Sequence, residues 1–248
     1  TATTNLAVTL AQLGDRTLLI DSDLRKPGIA KLLGMSGIRT GLSSYLAGAC
    51  DLDGCTYPCP GVPDLSVIPS GPIPPNPADL LSSQRLVDAI EEMARNRKRN
   101  LHELRDAIGV IADDYDFIFL DCPPSLSLLT LNGLCAADSV LIPIQCEFLC
   151  MEGIPDLLAT FDEVRTYFNP SLSIEGIVLT MFDERTNLSK QVAEEIRRSL
   201  KAVLFDSIIP RSVRLAEAPS FGKPIVVYDI KSKGAEAYLN LAQELLST

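Results

Sequence analysis

Residues 16–27 read RTLLIDSDLRKP. Thr17 to Ile20 form a short apolar run bounded by charge, the pattern of a strand buried on both faces of a parallel sheet. Asp21 and Asp23 follow at its carboxyl end, where open α/β sheets place their ligands. Two carboxylates this close repel each other unless a cation or a hydrogen-bond donor relieves them. A second apolar run, Phe117 to Leu120, also ends in an acid, Asp121, followed by Cys122-Pro123-Pro124. Two buried strands that each release an Asp at one sheet edge fit a shared Mg²⁺–phosphate site. The competing reading is that these acids cap the helices that follow them.

Composition narrows the classes. The 248 residues, 46% of them apolar, suffice for one large α/β domain spanning residues 1–248 with its own core. No apolar run reaches the ~18 residues of a membrane span, and no signal peptide is legible. A net charge of −10 excludes a bulk polyanion binder, so any nucleic-acid contact must come from a local basic patch. Seven cysteines without paired spacing suit the reduced thiols of a cytosolic protein. Cys50, Cys55 and Cys59 lack a CxxC spacing and a fourth ligand, so they are expected as surface or half-buried thiols rather than a metal site.

Residues 1–13, TATTNLAVTLAQL, read as a helix already in progress, with Leu6, Leu10 and Leu13 on one face and Gly14 as its stop. There is no initiator Met and no strand ahead of it, so the expectation is a chain that begins inside a domain. Short helices are expected at 28–33 and 41–47, a loop at 49–64 and a strand at 65–68. Asn76-Pro77 should open a helix running towards Met93. The basic run 95–99 reads as a solvated helix end, and His102, the one histidine, as a surface residue heading a helix to Ala112. From Asp116 the pattern is regular. Strands are expected at 117–120, 139–144, 174–181 and 203–209, with a candidate last strand at 225–228. Helices at 126–136, 153–168, 188–200 and 232–246 separate and follow them. Such alternation predicts a parallel twisted sheet with helices on both faces, a three-layer α/β fold.

LLIDSD and FIFLDCPPS resemble the second acidic motif and the Walker B strand of the deviant-Walker P-loop ATPases, which include ParA-type partition ATPases, MinD-like proteins and bacterial tyrosine autokinases. From Tyr115 onward the resemblance is to ParA, through DCPPSLSLLTLNGLCAADSVLIPIQCEF, LTMFDERTNLSKQV and IPRSVRLAEAPSFGKPIVVYDIKSKGAEAYLNLA. DLRKPGIAKLLG, GLSSYLAG and VIPSGPIPPNPADLL are instead similar to the tyrosine autokinases of polysaccharide export. The tail carries only Tyr238, not the tyrosine cluster of those kinases, and no basic amphipathic segment of the MinD kind that would dock on a membrane.

The resemblance implies an ATPase with ATP and Mg²⁺ as its cofactors. Asp21 and Asp121 would hold the metal, and Asp23 would orient or activate the attacking water. Thr1 matches the residue after the phosphate loop's Mg²⁺-binding hydroxyl, near the inner phosphates. The loop itself, ending in Gly-Lys-Thr or Gly-Lys-Ser, and the strand before it have no counterpart here. The expectation is therefore an incomplete domain with a gap in mid-sheet and weak ATP binding or none. Pro210 and Arg211 match the segment bordering the adenine, although Pro210 also reads as a plain strand terminator.

Relatives sandwich ATP between two subunits, which implies an ATP-dependent homodimer. Arg185 and Arg214 match positions that hold non-specific DNA in ParA relatives. Their plain alternative is a solvated arginine or one paired with an acid such as Glu184 or Glu217. Chromosome or plasmid partitioning is then the implied role, with a ParB-like centromere-binding protein stimulating hydrolysis. The implied place is the cytoplasm, at the nucleoid where DNA is held. The alternative from the first 80 residues is a tyrosine autokinase-like protein, or an inactive fragment of either kind.

Overall fold

The strand β1 (Thr17–Asp21) is buried along its whole length, as its unbroken apolar run requires. The computed structural model describes residues 1–24, 26–72, 103–123, 128–200 and 204–247. β1 pairs in parallel with β3 (Leu65–Ile68) on one side and β4 (Phe117–Asp121) on the other. The antiparallel pair Tyr57–Pro58, β2, borders β3, giving the order β2-β3-β1-β4. A second, all-parallel sheet has the order β5-β6-β7, with β5 at Ser139–Gln145, β6 at Ser173–Phe182 and β7 at Leu204–Pro210.

Parallel neighbours cannot be joined by tight turns, so helices make the crossovers. α1 (Ala2–Leu13) leads into β1, and α2 (Ile29–Leu32) and α3 (Leu42–Leu46) follow it. α4 (Glu103–Ile111) precedes β4. α5 (Leu128–Ala136), α6 (Phe148–Tyr167) and α7 (Asn187–Leu200) connect β4 to β5, β5 to β6 and β6 to β7. The short helices α8 (Val213–Glu217) and α9 (Ile225–Tyr228) and the longer α10 (Lys233–Leu246) close the described chain. α1 stops where expected: Gly14 takes φ 103°, the left-handed conformation that lets its N–H reach back to Ala11 and Leu10.

Strand alternation then sends the side chains to the two faces of the sheets, where helices cover them. Leu19, Val67, Val178 and Phe205 form one cluster with Leu6 and Leu10 of α1 and Tyr238 and Leu241 of α10. Leu18, Ile20 and Ile68 face Leu42, Cys55 and Leu104. Ile142, Ile144 and Ile177 cluster with Val192, Ala193 and Ile196 of α7. The fold is the three-layer α/β arrangement expected, and the expected gap in mid-sheet falls between β4 and β5. Among the described residues no ladder joins β4 to β5, so each ends its own sheet. Phe117 and Phe119 of β4 and Leu141 of β5 nevertheless pack on the α1–α10 cluster, so one core spans both sheets.

Three local expectations are corrected. Residues 225–228 are helical rather than a strand. β-branched propensity favours a strand, but Ile225 N–H is taken by Asn5 Oδ1 at 2.9 Å, and Ile225 and Val226 are both buried. The 49–64 loop contains β2, a two-residue edge strand whose proline sits where edge strands tolerate one. Cys55 and Cys59 are buried, and only Cys50 is half-buried. Burial pushes the Cys59 thiol up to about 11. The helix expected from Pro77, the basic run 95–99 and His102 lie outside the described residues.

Candidate nucleotide site

Asp21 and Asp121 are register partners at the carboxyl ends of two adjacent parallel strands. Asp21 is 2% exposed. Its Oδ1 accepts the N–H of Asp23 at 3.2 Å, and its Oδ2 accepts those of Gly28 and Ile29, each at 3.2 Å. The capping alternative thus describes part of what Asp21 does, since these donors open α2. Burial pushes its carboxyl up to about 6, opposed by the three backbone donors and reinforced by the charge of Asp121.

Asp121 is held from the other side by α1. Thr3 Oγ1 donates to its Oδ1 at 2.7 Å and Thr1 Oγ1 to its Oδ2 at 3.3 Å. Thr1 is also the N-cap of α1, accepting the N–H of Thr4 at 3.2 Å. The structure therefore brings Thr1, Asp21 and Asp121 together, with Asp23 tied to Asp21 through its own N–H. Asp23 is half-buried and accepts the N–H of Lys26 at 3.0 Å. Thr3 was not singled out from sequence. Its only signal is its place two residues after Thr1 in a threonine-rich helix start.

Lone pairs decide whether a cation fits. Among the described residues, two donors fill Asp21 Oδ2, one lone pair remains on Oδ1, and each oxygen of Asp121 keeps one. That is a sparse, hard-oxygen donor set beside two mutually repelling carboxylates. It suits Mg²⁺, which keeps most of its waters and takes one or two carboxylates plus phosphate oxygens. Among the described residues no three His, Cys, Asp or Glu side chains converge as a protein cage for a metal. Beyond the acid, burial and then the Asp121 charge push the Cys122 thiol up to about 12, so it is no nucleophile near neutral pH.

The remaining site residues gather at the ends of β6 and β7. Pro210, Arg211, Arg214, Asp229 and Lys233 line a cleft of about 400 Å³. Arg211 N–H donates to Phe182 O at 2.8 Å, fastening the two strand ends together. Arg214 is ion-paired with Glu217 at 3.3 Å and Asp229 at 3.5 Å. Arg185 is paired with Asp183, not with Glu184: Nε and Nη2 reach its two oxygens at 2.9 and 2.8 Å. These hydrogen bonds and the Arg185 charge hold the Asp183 carboxyl down at about 2.

Parallel strands that end in paired acids beside the start of a helix form a candidate metal–phosphate site at the ligand edge of an open α/β sheet. Comparison with known proteins makes it specific. A family model described as an AAA domain matches residues 1–174. The chromosome partitioning protein ParA of Myxococcus xanthus is 44% identical over 247 residues, 99% of this chain and 82% of that protein. The cell division ATPase MinD of Pyrococcus furiosus shares the fold at a TM-score of 0.76 and 24% identity, over 99% of this chain and 92% of its own. Cobyrinic acid a,c-diamide synthase of Mycobacterium smegmatis, solved with an ATP analogue and magnesium, matches at a TM-score of 0.75 and 27% identity, over 99% and 87%. The chain belongs to the ParA/MinD family of P-loop ATPases.

Proposed function

We propose that residues 1–248 act within one ATPase domain as a ParA-type switch that dimerises on ATP and hydrolyses it to position DNA. The observation that carries this reading is the register pair Asp21–Asp121, set against the N-terminus of α1. A helix N-terminus favours phosphate by its free N–H groups and its dipole. A phosphate loop with its lysine, joined ahead of α1, would complete the cradle for the β and γ oxygens. Bound Mg²⁺ would neutralise charge that develops on the transferring phosphoryl group. Asp21 and Asp121 would then orient its waters through their spare lone pairs. Asp23, on the segment that Asp21 ties down, would align the attacking water.

The DNA-holding role rests on Arg185 and Arg214. A few arginines per subunit give weak, salt-sensitive phosphate contacts that strengthen when a dimer doubles them. This suits a chain of net charge −10 that holds DNA only when paired. A ParB-like protein that stimulates hydrolysis, and a place in the cytoplasm at the nucleoid, follow from the same reading. Among the described residues no helix is long and apolar enough to cross a membrane. Tyr238, 4% exposed inside the α1–α10 core, is not placed as an accessible acceptor for the tyrosine-kinase alternative.

The test uses the full-length protein and compares Asp23→Ala with wild type for ATP affinity and steady-state turnover. The reading expects affinity kept within a few-fold and turnover lost by at least ~10²-fold. Equal loss of both, or turnover unchanged, contradicts it.

A further inference from the structure

Both arginines proposed to hold DNA are already engaged, and the two engagements differ. Arg214 shares two carboxylates at 3.3 and 3.5 Å, a loose arrangement. Arg185 makes the fork-to-fork contact with Asp183, with the acid's side chain only 13% exposed and the arginine's 87% exposed. Asp183 also accepts the backbone N–H of Arg185 at 3.0 Å, so the acid is fixed at the β6 end while the guanidinium reaches into solvent. A DNA phosphate offers Arg185 the same planar pair of oxygens that Asp183 does. The two therefore compete for the Nε–Nη2 edge of the guanidinium, and the carboxylate beside it repels a phosphate that approaches the Nη1 end.

We propose that Asp183 acts as a restraint on DNA binding: its bidentate pair takes the Nε–Nη2 edge of Arg185 and its charge opposes an incoming backbone phosphate, so that the arginine holds DNA more weakly with the acid in place. This rests on the DNA reading of Arg185 and adds a residue that weakens it. The acid keeps single-subunit contacts feeble, which sharpens the gain when dimerisation doubles them. Exposed ion pairs are worth about 0.2–1 kcal/mol, so the restraint is worth a roughly 1.4- to 5-fold change in affinity. Glu184 supplies the control. It is exposed, adjacent in sequence and of equal charge, but it does not form this pair.

The experiment measures binding of a fluorescent duplex of random sequence to the full-length protein with ATP at low salt. Asp183→Asn keeps an oxygen acceptor for the Arg185 N–H and removes the charge. It is expected to tighten binding by about threefold, within the range above, with Glu184→Gln giving less than half that gain. In an Arg185→Ala background the Asp183→Asn gain should vanish. Asp183→Ser is the second variant if Asp183→Asn melts early, and the same outcome is expected. An equal gain from Glu184→Gln, a gain that survives without Arg185, or no gain overturns the restraint while leaving the DNA reading in place. Failure of wild type and every variant to hold the duplex removes both.

Discussion

The two ends of the sheets that carry the candidate chemistry are built differently. At the β1–β4 end, Asp21 and Asp121 are fixed by five donors from three segments: the Asp23 backbone, the start of α2, and the threonines of α1. At the β6–β7 end, Arg185 and Arg214 are held by side-chain ion pairs on a solvent-facing rim. Backbone donors on a buried acid cannot be exchanged without unfolding a turn. Ion pairs at the surface can be exchanged for another anion at little cost. The first arrangement suits a preorganised site for a metal-bound phosphate, and the second suits a contact that is made and released.

That contrast can be broken at several points. The largest effect is expected in chemistry: Asp121→Asn in the full-length protein should cut ATP turnover by ~10²-fold or more, whereas Arg185→Ala should leave it within a factor of two. Similar losses from both would erase the distinction. Next comes packing. Gly176 of β6 lies against the Phe205 ring so closely that an added Cβ would overlap ring carbons. Gly176→Ala should cost about 1–3 kcal/mol in urea unfolding. A neutral result would mean that the β6–β7 core is looser than described.

Thr3→Val tests the acid end more gently. Losing its 2.7 Å bond to Asp121 should cost about 1 kcal/mol in the same assay, against under about 0.5 kcal/mol for Arg214→Ala. The pH dependence has a definite sign. The folded Asp21 carboxyl, near 6, lies above its ordinary 3.8, so the folded chain binds the proton more tightly than the unfolded one. Its contribution is fully present below about pH 4 and is lost as pH rises through 6. Denaturation of wild type at pH 4.5 and 7 should show this downward slope, and Asp21→Asn should flatten it. The smallest effect is local: the Asp183 carboxyl, at about 2, should titrate higher in Arg185→Ala when followed by carbon NMR.

Much of this was legible in the chain and some was not, for physical reasons. The runs 17–20 and 117–120 announce buried parallel strands because nothing but apolar side chains fits there, and the acids after them fall at the ligand edge. Thr3 was hidden because threonines at a helix start also read as caps, and only the depth of α1 against β4 shows which acid they reach. Glu184, the adjacent acid named from the sequence, is not the partner of Arg185. The strand end settles it by turning Asp183 inward and leaving Glu184 exposed. Residues 225–228 misled because local β propensity was overridden by the Asn5 bond and the core beneath it. The break between β4 and β5 was expected from the strand without a counterpart in mid-sheet, but periodicity alone does not report which two strands flank it.

The central claim is that Asp21 and Asp121 act on one magnesium-bound triphosphate. The direct measurement is binding of a fluorescent ATP analogue to the full-length protein with and without Mg²⁺, in wild type and Asp121→Asn. The account predicts a Mg²⁺-dependent gain in affinity for wild type that is largely lost in the variant. An equal gain in both would contradict it.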